Sequence, residues 1–355
     1  FIGYDSGFNA TGATQANFLG AQAGYQAQNA NGSNFIGVSA GNLATNAGAS
    51  NFIGYNAGNQ ATNGFNSNFI GNSAGQNATG ADTSNFMGYY AGYGATNAQN
   101  ANYIGTVAGY NATNAGSSNF IGIQAGYGAT NAYNSNFIGA GVGIQATNAN
   151  WSNFIGQSAG NYATNANYSN FIGFEAGLDA VNAYNSVFLG FKAGSGQSQS
   201  SNSVYIGFNA GANEHKILNA SNIIIGNSVT LDDNTFAGLN IGGVLFGKNL
   251  NSDSSGQAIS NPVNGSIGIN VVPSAITNTL HVSGASNPIR VEGLQNLGVD
   301  PYVLTCDVYG VFHRVPTAVI SAASNGPVAD LTVSGNTIYK ITTASTTSYV
   351  INAIT

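Results

Sequence analysis

Ser33-Asn34-Phe35-Ile36-Gly37 returns as Ser50-Asn51-Phe52-Ile53-Gly54, and the reading of that phrase decides the fold. Its aromatic position falls at Phe1, Phe18, Phe35, Phe52, Phe69, Phe86, Tyr103, Phe120, Phe137, Phe154, Phe171, Phe188 and Tyr205, thirteen times at a spacing of 17 without an insertion or deletion. A period in the high teens, held this long, marks a solenoid in which each repeat is one coil stacked on the last. Counted from the aromatic as position 1, the consensus coil is Phe-Ile-Gly-x-x-Ala-Gly-x-x-Ala-Thr-Asn-Ala-x-x-Ser-Asn.

Neighbouring residues on a strand face opposite ways, so Phe35 and Ile36 demand cover on both faces. The coil's own second strand, with small residues such as Ala44 and Thr45, covers one face of a thin interior. The other needs a different surface. Positions 3 and 7 are Gly in every coil, from Gly3 and Gly7 to Gly207 and Gly211, which predicts corners with positive φ or close backbone approach. Position 12 is Asn in most coils and Gly at Gly12 and Gly80, the residues that enter the left-handed region most easily. A turn is expected there, with an Asn amide ladder along the stack. A single thin roll buries little against the entropy of ordering a whole coil. Packing the second apolar face against identical chains around an axis nearly doubles that burial. The expected architecture is therefore an all-β, parallel β-solenoid (β-roll) of 17-residue coils forming a homotrimeric shaft on the order of 60 Å, followed by small β-rich trimeric domains. Phe35, Phe52, Phe69 and Phe120 with Ile36, Ile53, Ile70 and Ile121 are the residues expected to pack the core and the trimer interface.

Bulk composition excludes several functions. Of 355 residues only 5% are charged, against roughly 25% in a typical soluble domain. Residues 1 to 213 carry Asp5, Asp82, Glu175, Asp179 and Lys192 as their only charges, so the Lys and Arg clusters that hold nucleic acid are absent. No run of 18 apolar residues occurs, which argues against a transmembrane helix in this segment. Cys306 is the only cysteine; it reads as a small buried hydrophobe, and no intrachain disulfide is available.

The Asn-Phe-Ile-Gly-x-x-Ala-Gly pattern resembles the Asn-Ser-x-Ala-Ile-Gly-x-x-Ala repeats in the heads of trimeric autotransporter adhesins, which are left-handed parallel β-rolls assembled as trimers. It looks still more like repeats in tail-fibre proteins of phages and large viruses and in related bacterial surface proteins, many of which end in an intramolecular chaperone of the endosialidase type. Asn222-Ile223-Ile224-Ile225-Gly226, Leu239 to Gly247, Ser266-Ile267-Gly268-Ile269-Asn270 and Thr279 to Gly284 follow in the order such fibres show. The period here is 17, not the roughly 14 of the adhesin heads, so architecture and not strand length carries over. Nothing before Thr355 resembles the chaperone or its self-cleavage site, which implies a mature product or part of a longer chain. The resemblance implies a non-enzymatic, extracellular attachment fibre on a virion or a bacterial cell, with itself and a surface glycan or protein receptor as partners, and no cofactor.

The rhythm breaks at Glu214-His215-Lys216, and Ile224, the next counterpart of Tyr205, comes later than Asn222, where the period would put it. The shaft is expected over 1–221, its end and a connector over 222–260, a small β domain over 261–320 and the start of a further β domain over 321–355. Alternating segments at Thr279 to Val282, Ile289 to Glu292, Tyr302 to Cys306 and Val311 to Val315 predict strands.

Candidate chemistry is sparse. Solenoid lyases and hydrolases need acidic pairs across a groove; Glu175 with Asp179, and Asp232-Asp233, read instead as solvated carboxylates. The Gly-Gly-x-Gly-x-Asp repeats of a calcium roll are absent. An ice-binding face would want two Thr columns, whereas Thr45, Thr62, Thr79 and Thr96 make one beside Asn. His215, His281 and His313 read as turn or surface residues, with no metal expected. The candidate ligand-binding feature is a stripe at variable position 8, carrying Tyr25, Tyr93, Tyr110 and Tyr127 with Phe8 and Ile144, for which ring stacking along the solenoid is the competing explanation.

Overall fold

The computed structural model describes residues 1–212, 220–248, 266–271, 275 and 280–283, together with the backbone of strands at 302–306, 312–321 and 338–342. It is an all-β parallel solenoid with a 17-residue coil, and no α-helix occurs among the described residues. Each full coil contributes one three-residue strand at positions 17, 1 and 2, from β1 (Asn17–Leu19) through β2 (Asn34–Ile36) to β12 (Val204–Ile206). Successive strands pair in parallel, like on like: Asn34 opposes Asn51, Phe35 opposes Phe52, and Ile36 opposes Ile53.

The phrase that sets the period also sets the core. Phe35 and its equivalents from Phe18 to Tyr205 point inward and are fully buried, and with the exposed terminal Phe1 their rings form one continuous stack. Ring centroids are 4.8 Å apart for Phe35 and Phe52, with planes 7° from parallel, so the rings repeat at the spacing of the strands. Alanines at positions 6, 10 and 13, such as Ala40, Ala44 and Ala47, fill the remaining interior. Ser at position 16 completes it: Ser67 Oγ donates to the Ala81 carbonyl at 2.6 Å and accepts the Ser84 N–H at 3.1 Å.

The path opposite the strand differs from the expected second strand. Position 11 makes a single bridge to its equivalent, as Thr45 to Thr62, and positions 3 to 10 form three overlapping turns. In the coil of Phe35 these are closed by Ala40 N to Gly37 O at 3.3 Å, Asn42 N to Ser39 O at 3.3 Å and Ala44 N to Gly41 O at 3.1 Å. Their third residues, Ser39, Gly41 and Leu43, have φ of 54°, 62° and 56°, the sign that type II turns require there. With Gly37 (131°), Asn46 (51°) and Ala49 (56°), the coil holds six left-handed residues where the sequence pointed to three.

Left-handed backbone costs about 1 to 2 kcal/mol at a non-glycine residue, and bonds between coils offset it. Ser39 N reaches Ala21 O of the preceding coil at 2.9 Å, Leu43 N reaches Tyr25 O at 2.8 Å and Ala49 N reaches Asn31 O at 2.7 Å. The turns are therefore as fully laddered as the strand, and their buried backbone groups are satisfied.

Two glycine positions are required by space. A Cβ on Gly37 would strike the carbonyl of Gly54 in the next coil, and one on Gly41 would enter the ring of Phe35. The first glycine permits the coil spacing; the second lets the aromatic lie across the interior.

The parallel stack continues through β13 (Ile223–Ile225) and β14 (Leu239–Ile241), and the buried Ile224 and Asn240 follow Tyr205 in register. The chain then reverses through Gly242 and Gly243, both at positive φ, into β15 (Leu245–Lys248), antiparallel to β14. Strand β16 (Ser266–Ile269) adds antiparallel and β17 (Leu280–Val282) parallel. By contacts the chain divides into Phe1–Pro288 and Ile289–Thr355. In the second unit β18 (Tyr302–Cys306) is antiparallel to β19 (Phe312–Ser321), which pairs in parallel with β20 (Ile338–Thr342). The expected strand at Ile289 to Glu292 and the part of the expected connector from residue 249 to 260 lie outside the described residues.

Candidate functional site

Functional surface on this solenoid is arranged as columns, because any side chain that points outward at one position meets its equivalent in the next coil. The strand's outer face carries two columns. At position 17, Asn34 Nδ2 donates to Asn51 Oδ1 and Asn51 to Asn68 Oδ1, at 2.8 and 2.7 Å, and the ladder continues to Asn170. This ladder was not anticipated; its signal was the Asn that precedes almost every Phe. At position 2 runs an aliphatic column that includes Leu19, Ile36, Met87, Ile104, Ile121, Ile138, Ile155, Ile172 and Leu189, each about two-fifths exposed, with Ile36 at 37%. Ile53 and Ile70 in the same column are half-buried. Of the expected core and interface residues, then, the phenylalanines fill the interior while the isoleucines face outward.

The expected amide ladder at position 12 is present. Asn29 bonds Asn46, and Asn46 bonds Asn63; after an interruption at Gly80 it resumes from Asn97 through Asn114, Asn131, Asn148 and Asn165 to Asn182. Beside it at position 11 runs the single threonine column.

At position 8 the predicted tyrosines divide. Tyr93, Tyr110 and Tyr127 stack face to face at 5.0 and 5.2 Å, with planes within 7°, while Tyr25 pairs with Phe8 at 5.5 Å. Asn77 donates to the Tyr93 hydroxyl and Gln26 to that of Tyr25. Partial burial, then the neighbouring Tyr93 and Tyr127 phenols, raise the Tyr110 phenol above its ordinary range. The rings are mainly engaged with one another.

Other stacks were missed. Phe174, Phe191 and Phe208 stack at position 4, at 5.0 and 4.9 Å. At positions 14 and 15, Trp151 lies on Tyr168 at 5.0 Å with planes 1° apart, and meets Tyr133 edge-on at 6.4 Å. Aromatics one full period apart at otherwise variable positions were the available signal. Next to Tyr133 an open cleft of about 420 Å³ is lined by Asn97, Gln99, Asn114, Asn131, Tyr133 and Asn150.

Glu175 Oε2 pairs with Lys192 Nζ of the next coil at 3.1 Å, so it stands in an ion pair instead of facing a second carboxylate. The Asp232 carbonyl accepts from both the backbone N–H and the hydroxyl of Thr235, which makes that acidic pair part of a turn. Among the described residues no group of three His, Cys, Asp or Glu side chains is placed to hold a metal, and no helix is long and apolar enough to cross a membrane. His281 lies in β17, His313 in β19 and Cys306 at the end of β18; His215 is outside the described residues.

Comparison with known proteins found no matching family model, no matching curated protein and no matching solved structure.

Proposed function

We propose that this chain is the shaft and distal portion of a homotrimeric, non-enzymatic extracellular fibre that attaches a virion or a bacterial cell to a surface. The observation that carries the reading is the aliphatic column at position 2. The solenoid closes its interior with aromatic rings, small residues and Ser, yet it presents Ile, Leu or Met at the same outward place in coil after coil. A continuous apolar column is far more than the scattered exposed residues of a monomer, and self-association about an axis covers it with the same column from identical chains. The regular coil supplies length and rigidity, which suit a spacer, and the resemblance to fibre and adhesin repeats supplies the attachment role.

Sedimentation or light scattering of the purified chain tests the assembly. The expected mass is three chains of 35.9 kDa. Replacing Ile104, Ile121 and Ile138 together with Asp should release monomers that keep their β circular dichroism. A wild-type chain that runs as a folded monomer overturns the trimer.

A further inference from the structure

We infer that the flank at positions 12 to 15, between Gln99 and Tyr168, is a binding site for uncharged pyranose sugars. The inference rests on the attachment reading and gives it a location and a ligand chemistry.

Three features meet there. The amide ladder of Asn97, Asn114 and Asn131 forms one side of the cleft. Asn114 and Asn131 each use one N–H and one oxygen lone pair on their neighbours, and Asn97, the first rung after Gly80, uses one N–H, at 2.8 to 3.0 Å; each keeps another N–H and at least one more lone pair. A row of paired donors and acceptors at the coil spacing suits the vicinal hydroxyls of a sugar. Gly116 supplies the second feature. A Cβ at this position would sit 3.2 Å from Tyr133 Cε2, so the missing side chain makes a notch that lets the Tyr133 ring lie down against the coil. Beyond it stands the chain's single tryptophan: Trp151 is 48% exposed, stacked on Tyr168 and edge-on to Tyr133. Tyr133, half-exposed in the wall of the polar cleft with Trp151 next to it, is the kind of aromatic surface that the apolar C–H face of a pyranose requires, with ring and polar groups working together. The position 8 tyrosines lack this pairing with an open polar cleft.

Charge sets the class of sugar. No Lys or Arg occurs before Lys192, so nothing here neutralises a carboxylate or sulfate, and recognition of acidic glycans usually relies on Arg or Lys. Neutral hexoses and N-acetylhexosamines remain.

The test uses the whole purified chain, with Trp151 as an internal fluorescent reporter and calorimetry as a second readout. Probes are neutral gluco-, manno-, galacto- and N-acetylglucosamine oligosaccharides, with sialyllactose and heparin fragments as anionic counterparts. At least one neutral oligosaccharide should shift tryptophan emission saturably, and the anionic probes should not. Tyr133→Asn and Asn131→Gly, which install residues that the repeat itself uses at those positions, should each weaken binding by roughly tenfold or more. Tyr110→Asn on the other flank should leave it unchanged. No neutral binding at millimolar sugar, binding that both variants leave intact, or binding of anionic probes alone each overturns the inference. Cell attachment of the labelled chain, scored in parallel, separates the two ideas: attachment that neutral sugars do not inhibit overturns the sugar site and leaves the fibre standing.

Discussion

Ala101 and Tyr103 show how closely single residues are matched inside this coil. Each buried carbonyl at position 13 is served by the Ser hydroxyl at position 16 of the preceding coil, as Ser84 serves Ala98 and Ser118 serves Ala132, at 2.6 and 2.5 Å. Ala101 takes that serine's place and has no hydroxyl to give. Two residues on, the ring column changes from Phe to Tyr, and the Tyr103 hydroxyl donates to the orphaned Ala115 carbonyl at 3.1 Å. Only the terminal coil, where Ala16 precedes Phe18, lacks either donor among the described residues. Tyr103→Phe should therefore cost about 1 to 3 kcal/mol, the penalty for a buried acceptor left unpaired. Adding Ala101→Ser should restore most of it, as a double-mutant cycle in denaturant will read; additive losses would show the hydroxyls are not exchangeable. The same phenol also gives an alkaline signature. Burial raises Tyr103 above its ordinary range, and it raises Tyr205 too. A folded-state value above the unfolded value of about 10 means that the contribution is intact below that pH and is lost as pH rises through and beyond it. In a phenolate absorbance titration these two tyrosines should stay silent until the protein unfolds in alkali, and then ionise together with the loss of β signal; their titration beside the exposed tyrosines would contradict the closed core.

At the scale of the element, the repeat was readable wherever a position accepts one residue type, and hidden wherever the backbone does the work. Phe at position 1, Gly at 3 and 7, Asn at 12 and the small residues at 6, 10 and 13 all stood out, because each is fixed by a ring stack, a backbone collision or an interior too narrow for more than Ala. Positions 5, 9 and 15 gave no such signal. They are left-handed at Val107, Leu43 and Trp151 alike, residues that do not favour that region, and they are held there by ladder bonds to the neighbouring coil that no composition reveals. That is why a second strand was expected where three overlapping turns run. The candidate site follows the same division. Its amide ladder was legible in the Asn column, whereas the seat of the cleft's aromatic, Tyr133, depends on one glycine, Gly116, in the same variable column. Only their adjacency across neighbouring coils gives the pair meaning.

For the whole molecule, the consequence of identical coils is that length is adjustable and register is not. Stability in such a stack is close to a sum of coil terms and nearest-neighbour interfaces, and the columns here join residues one period apart: ring to ring, amide to amide, glycine to glycine. Deleting residues 103 to 119 removes one complete coil and joins Asn102 to Phe120, which restores the Asn-Phe phrase and offers β6 (Asn102–Ile104) a replacement strand of the same register. The shortened chain should fold, unfold cooperatively and have a shaft shorter by about 4.8 Å, with a denaturant slope reduced in proportion to the surface removed. Deleting residues 103 to 110 instead brings Asn111 to the place of Tyr103, puts polar residues in the ring column and leaves Gly122 without a partner glycine at its level. That chain should lose its cooperative transition or fail to stay soluble, even though fewer residues have gone. Circular dichroism during urea unfolding compares the two directly. Equal damage from both deletions would mean that something other than the 17-residue register holds the shaft together.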